Sequence, residues 1–128
     1  MNKEKFILIV DDDNRNIFAL EAVLKARGYK VLAAANIEES VSKLEEYGNG
    51  IGIILMDIMM PDIDGYEGMT ALKNNSMYKS IPIVAVTAQA MRGDREKTIA
   101  AGADDYLSKP VDVDALIEIL NKHLKSDM

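Results

Sequence analysis

The sequence contains no cysteine, only one histidine, and no apolar stretch long enough to span a membrane. Without cysteine, disulfide bonds and thiol chemistry are excluded, which is typical of a protein of the reducing cytoplasm. Zinc and copper sites are disfavoured because they usually need several histidine or cysteine ligands. No leader of charged and then apolar residues suggests export, so we expect a cytoplasmic protein without membrane insertion.

Basic residues are few and scattered. There are 15 Lys and Arg against 21 Asp and Glu, which gives a formal net charge of −6. Nucleic-acid binding needs a basic face, so we do not expect direct contact with DNA or RNA. The chain has 128 residues, 48% of them hydrophobic, and no repeat, linker or low-complexity tract divides it. These properties predict a single domain over residues 1–128 with one sizeable core.

Apolar segments rich in β-branched residues alternate along the chain with segments of helical periodicity. The predicted strands cover residues 6–10, 31–34, 51–56, 81–86 and 106–108. Helices are predicted from the caps at 12–14 to Gly28, from Asn36 to Gly48, over 66–74, over 92–101 and after Pro110. This alternation predicts an α/β fold: a five-stranded parallel doubly wound sheet with five helices, flavodoxin-like. The first, third and fourth strands are the most apolar, so we expect the order 2-1-3-4-5.

Polar side chains follow four of the predicted strands, at the ends where an open parallel sheet binds its ligands. They are Asp11 and Asp12 after the first strand, Asp57 after the third, Thr87 after the fourth and Lys109 after the fifth. Singly, each has a structural explanation, such as a helix cap for the aspartates or the threonine and a solvated strand end for the lysine. Together they would place three carboxylates, a hydroxyl and an ammonium at one edge of the sheet.

Such a set carries excess negative charge, which predicts a bound divalent cation. Three carboxylates and one lysine leave about two positive charges missing, and one Mg²⁺ supplies them. Mg²⁺ prefers oxygen ligands and usually keeps several waters. A carboxylate can also be the nucleophile in phosphoryl transfer, which would give an aspartyl phosphate. Lys109, Thr87 and backbone amides after the third strand would then stabilise the transition-state charge.

Four segments resemble the response-regulator receiver family in order and spacing, namely ILIVDDD, LMDIMMPDIDGYE, VAVTAQAM and DDYLSKP. The resemblance extends over the entire chain. It implies that Asp57 accepts a phosphoryl group from the phosphohistidine of a histidine kinase. It further implies that Asp12, Asp57 and the backbone carbonyl of Met59 are direct Mg²⁺ ligands, and that Asp11 acts largely through water.

The same resemblance implies a switch. Thr87 and Lys109 would contact the phosphoryl oxygens, and Tyr106 would pack inward as the threonine moves toward the phosphate. The structural alternative for Tyr106 is packing on an edge strand. The implied partners are a histidine kinase or histidine phosphotransfer domain and an output partner on the face of the fourth helix, fifth strand and fifth helix, where Ile119 lies just off the buried stripe. In the family, the peptide bond that corresponds to Lys109–Pro110 is cis.

Three other functions compete with this interpretation. An aspartyl-phosphate phosphatase of the haloacid dehalogenase type needs a second aspartate two residues after the nucleophile, and Met59 stands there. A flavodoxin-like electron carrier needs Ser, Thr and Gly after the first strand for the flavin phosphate, whereas the chain has acids. A receiver that only docks, without phosphorylation, would not need the complete set of polar residues. The segment MRGDREKTIAAGADDYLSKPVD also resembles receivers joined to hybrid histidine kinases.

The only histidine, His123, has no second ligand or acidic partner visible in the sequence, which predicts a solvated surface position.

By the family resemblance, the residues nearest the water that hydrolyses the aspartyl phosphate are Met59 and Gln89. A thioether orients water poorly, so we expect a comparatively long-lived phosphoryl group whose loss Met59→Asn would speed.

Overall fold

The computed structural model describes residues 5–58, 65–76, 78–87, 94–100 and 102–124. Within these ranges five strands alternate with five helices. The strands are β1 Phe6–Val10, β2 Lys30–Ala34, β3 Ile51–Asp57, β4 Ile83–Thr87 and β5 Asp105–Ser108. The helices are α1 Asn14–Ala26, α2 Ile37–Tyr47, α3 Gly65–Asn74, α4 Asp94–Ala100 and α5 Val113–His123, and a 3-10 turn at Gly48–Gly50 follows α2.

All four strand pairs are parallel, and the strands lie in the order β2-β1-β3-β4-β5. The three central strands are almost wholly buried, whereas β2 and β5 are partly exposed at the edges. Long apolar runs suit strands that are covered on both faces, and shorter, more polar strands suit edges. The predicted fold class and strand order are therefore confirmed. None of the helices in the described ranges is both long and apolar enough to cross a membrane.

The core has two layers, one on each face of the sheet. Because successive side chains of a strand point to opposite faces, Leu8 and Val10 pack into one layer and Ile7 and Ile9 into the other. Helices α2 and α3 cover the first layer, and α1 and α5 cover the second. Each fully buried Leu or Ile stabilises the fold by about 1.5–3 kcal/mol relative to an exposed one.

Of the three consecutive aspartates before α1, Asp13 has a structural role. Asp13 is the N-cap, and its carboxylate accepts a hydrogen bond from the backbone N–H of Arg15 at 2.9 Å. This bond lowers the pKa of Asp13 below its ordinary value. Since one acid is enough to cap a helix, Asp11 and Asp12 are left for another role.

Two strands extend beyond their predicted ends. Asp57 is the last residue of β3 and lies opposite Val86, while Thr87 is the last residue of β4 and lies opposite Ser108. At its other end β4 begins at Ile83 instead of residue 81, because Pro82 has no N–H for the ladder. The Lys109–Pro110 peptide bond is cis, as the resemblance implies.

At the amino end of β5, Asp104 joins the strand to α3. Its Oδ2 lies 2.6 Å from Nζ of Lys73 and accepts the backbone N–H of Ile83 at 2.9 Å. The same lysine donates to the carbonyl oxygens of Lys79 at 3.3 Å and Ile81 at 3.1 Å. Three acceptors on one ammonium hold α3 against the beginnings of β4 and β5.

The neighbouring Asp105 joins β5 to α5, and it shows that the expectation for His123 was wrong. Oδ2 of Asp105 lies 3.3 Å from Nε2 of His123 and 3.5 Å from Nζ of Lys122. The His123 side chain is only 15% exposed. It is neither solvated nor without an acidic partner, because its position extends the buried stripe of Leu116 and Leu120 by one helical step.

The contacts of Asp105 with His123 and Lys122 make the free energy of unfolding depend on pH in the acid range. Burial raises the pKa of Asp105, but the N–H of Tyr106 and the neighbouring His123 and Lys122 outweigh burial and lower it below 3.8. A carboxylate with a lowered pKa stabilises the fold above its unfolded pKa, and this stabilisation is lost as the pH falls through the folded pKa. We expect Asp105→Asn to cost about 1 kcal/mol at neutral pH. The difference from wild type should shrink below about pH 4.

Urea denaturation across this pH range measures the effect. Glu118→Gln is the matched control, since it removes an exposed carboxylate from α5, the helix to which Asp105 is paired. A difference between wild type and Asp105→Asn that stayed constant with pH would mean that the charge of Asp105 does not stabilise the fold.

Candidate functional site

The carboxyl ends of β1, β3 and β4 bring three polar side chains into the protein interior. Asp11 follows β1, and its N–H donates to the carbonyl of Ala34 at 3.0 Å, which extends the strand ladder by one residue. Asp57 and Thr87 end their strands. The exposed fractions are 3% for Asp11, 4% for Asp57 and 0% for Thr87. Two buried carboxylates at one sheet edge are costly unless cations and hydrogen-bond donors compensate them.

Lys109 provides that compensation. Its backbone N–H donates to the carbonyl of Thr87 at 2.8 Å, so the residue leaves β5 beside the end of β4. Its Nζ lies 3.3 Å from Oδ2 of Asp11 and 3.4 Å from Oδ2 of Asp57. One ammonium therefore bridges both buried carboxylates.

The charge of this lysine is stabilised by its surroundings. Burial disfavours the ammonium, but the attraction of Asp57 and Asp11 outweighs burial, and the pKa of Lys109 is raised above 10.5. The side chain stays cationic at neutral pH and can attract an incoming anion at the same edge.

Asp12 completes a group of acids that fits a hard metal ion. Asp11, Asp12 and Asp57 each offer a carboxylate oxygen, and the three oxygens lie within 4.8 Å of one another. Asp12 is exposed while the other two are buried, so the group opens to solvent on one side. The donors are all oxygen atoms, which suits Mg²⁺, and Lys109 alone leaves the group net negative.

A further side chain, Asn16, reaches the site from α1. The carboxylate of Asp11 accepts the N–H of Asp13 on Oδ1 at 2.8 Å and the side-chain amide of Asn16 on Oδ2 at 3.5 Å. Asn16 was not predicted from the sequence. The signal that could have found it is its place three residues after the cap, because side chains in the first helical turn point back toward the helix start.

A cavity of about 270 Å³ lies beside these residues, between α1 and the segment that connects β5 to α5. Asp11, Asn16 and Lys109 form its polar end, and its other walls are mainly apolar. The side chains of Asn16 and Lys109 therefore border open space on this side.

The predicted switch residues differ in burial. Thr87 is fully buried, whereas Tyr106 is partly buried and packs against the core layer on the α2 side. Ile119, which suggested a partner surface, is partly buried and packs against the layer on the α5 side, and its contact with a partner stays a prediction. On α4, Ile99 is 40% exposed.

Several predicted positions lie outside the described residues. They are Met59, expected to supply a carbonyl ligand and to limit water access, and Gln89. Asp11, Asp12, Asp57 and Lys109 lie together in the structure, and the roles assigned to them remain predictions.

The sheet order, the buried aspartate at the end of β3 and the group of three acids that includes it agree with the receiver fold that the sequence predicts. The family model for the response regulator receiver domain matches residues 7–121, and the chain belongs to that family. It is 34% identical over 120 residues to the polar-differentiation response regulator DivK of Brucella anthropi, covering 94% of this chain and 96% of DivK.

Two solved structures are similar. The receiver domain of the sensor histidine kinase PA1611 from Pseudomonas aeruginosa, with a magnesium ion coordinated in its active-site cleft, is 35% identical with a TM-score of 0.83, covering 95% of this chain and 98% of that one. The second is a structure of the histidine phosphotransfer protein Ypd1 from Saccharomyces cerevisiae with the receiver domain of its downstream response regulator Ssk1. It matches at 26% identity and a TM-score of 0.84, covering 96% of this chain and 90% of that one.

Proposed function

We propose that the chain accepts a phosphoryl group on Asp57 from the phosphohistidine of a histidine kinase or a histidine phosphotransfer domain, in a Mg²⁺-dependent reaction. The observation that carries this proposal is the placement of Lys109 Nζ 3.4 Å from Asp57 and 3.3 Å from Asp11. A buried carboxylate beside a fixed cation, at the edge of the sheet where ligands bind, suits a nucleophile that must receive a dianionic group.

The transfer breaks the N–P bond of the phosphohistidine and forms an O–P bond to Asp57. The electron pair of the broken bond stays on the imidazole nitrogen of the donor. Negative charge in the transition state spreads over the three equatorial phosphoryl oxygens. Lys109 and the hydroxyl of Thr87 are the groups of this site that would donate to those oxygens and stabilise the charge that develops on them.

Asp12 and Asp57 would hold Mg²⁺ directly and Asp11 largely through water, with the carbonyl of Met59 as a further predicted ligand. When bound, the ion neutralises the acidic group and stabilises charge on the phosphoryl oxygens. The oxygens of the three aspartates, which lie within 4.8 Å of one another, support this assignment.

We further propose that residues 1–128 form one receiver domain whose phosphorylation changes a partner surface on α4, β5 and α5. Movement of Thr87 toward the phosphoryl group would leave space that Tyr106 fills. The contact between the ends of β4 and β5, at Thr87 and Ser108, supports coupling of these strands.

Intact mass spectrometry tests the proposal directly. Wild-type protein incubated with a small phosphodonor such as acetyl phosphate should gain one phosphoryl group in the presence of Mg²⁺ and none in the presence of a chelator. Protein that remained unmodified under both conditions, while still folded, would contradict the proposed function.

We expect Asp12→Ala to abolish Mg²⁺ binding, measured by titration calorimetry without phosphodonor. Asp12 is the exposed member of the acidic group and offers the least hindered oxygen. The same change removes a repelling charge, so the metal-free protein should be as stable as wild type or more stable. Asp13→Asn is the matched control, because it removes a neighbouring charge and keeps an acceptor for the helix cap. Normal Mg²⁺ affinity in Asp12→Ala would exclude Asp12 from the site.

A further inference from the structure

If the proposed function is right, Lys109 must contact different groups before and after phosphorylation. Its Nζ bridges Asp11 and Asp57 in the described structure. Once Asp57 carries a phosphoryl group, the same ammonium is expected to donate to the phosphoryl oxygens. Asp11, which is only 3% exposed, would then lose the ammonium from Oδ2 and keep its water-mediated contact with Mg²⁺. The loss of a charged donor from a buried carboxylate is costly, so a second donor at Oδ2 would stabilise the phosphorylated state.

The structure already places a second donor at that oxygen. The side-chain amide of Asn16 lies 3.5 Å from Oδ2 of Asp11, at the outer limit of a hydrogen bond. The other carboxylate oxygen is satisfied by the N–H of Asp13 at 2.8 Å. Asn16 and Lys109 thus share one acceptor atom, and the lysine is the nearer of the two.

Asn16 also has the freedom and the support that a replacement donor needs. It belongs to the first turn of α1, which the Asp13 cap holds in place. Its half-buried side chain and that of Lys109 both line the cavity of about 270 Å³. The amide therefore needs a shift of only a few tenths of an ångström to reach the usual hydrogen-bond length.

We propose that Asn16 is a positioning residue for phosphorylation: its amide replaces Lys109 as the donor to Oδ2 of Asp11 when the lysine turns to the phosphoryl group. Asn16 touches neither the phosphoryl group nor the attacking oxygen, and it acts by keeping Asp11 oriented. A neutral amide suits this role, because it donates a hydrogen bond without adding a fourth carboxylate to the acidic group.

The inference predicts a defect that appears only in the phosphorylated state or with its analogue. Binding of Mg²⁺ alone leaves Lys109 on Asp11, so Asn16→Ala should bind Mg²⁺ within about twofold of wild type. Binding of beryllofluoride in saturating Mg²⁺ engages Lys109, so Asn16→Ala should lose about tenfold in affinity, which corresponds to one hydrogen bond to a charged group. Titration calorimetry of both ligands on the folded full chain separates these effects.

Three variants distinguish positioning from a general structural role. Asn16→Gln keeps the amide and should recover most of the beryllofluoride affinity, whereas Asn16→Asp should bind it more weakly than Asn16→Ala because of like-charge repulsion. Asn14→Ala, an exposed position of the same helical turn, is the matched control and should bind like wild type. Alanine favours helix more than asparagine does, so neither alanine variant should be destabilised.

Beryllofluoride affinity of Asn16→Ala equal to that of wild type would overturn the inference. An equal loss of affinity for Mg²⁺ alone would also overturn it, because Asn16 would then support the metal site in every state. Failure of the wild type to bind beryllofluoride or to gain a phosphoryl group would instead contradict the proposed function, and the inference with it.

Discussion

Asp57→Asn will remain unphosphorylated under conditions in which the wild type gains one phosphoryl group. The substitution keeps the size and shape of a side chain that is only 5% exposed. It removes the nucleophile, because an amide oxygen carries no negative charge to attack phosphorus. We expect complete loss of the mass increase with acetyl phosphate and Mg²⁺. We expect no loss of stability without metal, because one of three mutually repelling carboxylates is gone.

The matched control is Asp104→Asn, which changes an aspartate at the amino end of β5, away from the carboxyl ends that form the site. It should gain one phosphoryl group like the wild type, even though it weakens the contact with Lys73. Phosphorylation of Asp57→Asn at a stoichiometry near one would show that another residue is the acceptor.

Lys109→Met will strongly destabilise the metal-free protein, and Mg²⁺ will restore part of the loss. The substitution keeps most of the aliphatic stem and removes the ammonium that bridges Asp11 and Asp57. Removing one partner from a buried ion pair costs about 3–5 kcal/mol, and the 21% exposure of the lysine side chain reduces this to about 2–3 kcal/mol. A divalent cation that binds the folded state supplies replacement charge and raises the free energy of unfolding with its concentration.

Urea denaturation with a chelator and with increasing Mg²⁺ measures both effects. Lys79→Met is the control, since Lys79 is an exposed lysine outside the site and its loss should change stability little. Lys109→Met should also be phosphorylated much more slowly, because the transition state loses a fixed cation. Stability within about 0.5 kcal/mol of wild type in the chelator would mean that the two carboxylates do not depend on this lysine.

The sequence predicts the fold because its two main signals are local. Apolar runs reveal the three central strands, and polar residues at strand ends reveal the edge where the site forms. Even the small errors at strand ends have local causes. Asp57 and Thr87 still pair with neighbouring strands although their side chains are polar, because the ladder depends on backbone groups.

The contacts that sequence reasoning missed depend on three-dimensional placement. His123 and Asp105 are 18 residues apart, and their pairing depends on where the last turn of α5 meets the first residue of β5. The spacing of Leu116, Leu120 and His123 would have predicted burial of the histidine, but not its partner. Ile119 packs against the core although it lies beside the buried stripe, which its spacing alone does not predict. Asn16 was missed because its distance from Asp11 depends on where the helix begins.

The paired aspartates at the amino end of β5 have a mechanical consequence. Asp104 ties that end to α3 on one face of the sheet, and Asp105 ties it to α5 on the other. Because these contacts hold the amino end of β5 on both faces of the sheet, a displacement at its carboxyl end, where Ser108 pairs with Thr87, is expected to decrease toward Asp105. Tyr106 lies one residue from Asp105, so we expect its backbone to move little when the carboxyl end of β5 is displaced. The switch proposed for Tyr106 would then consist of a change in side-chain angle and not of a sliding of the whole strand.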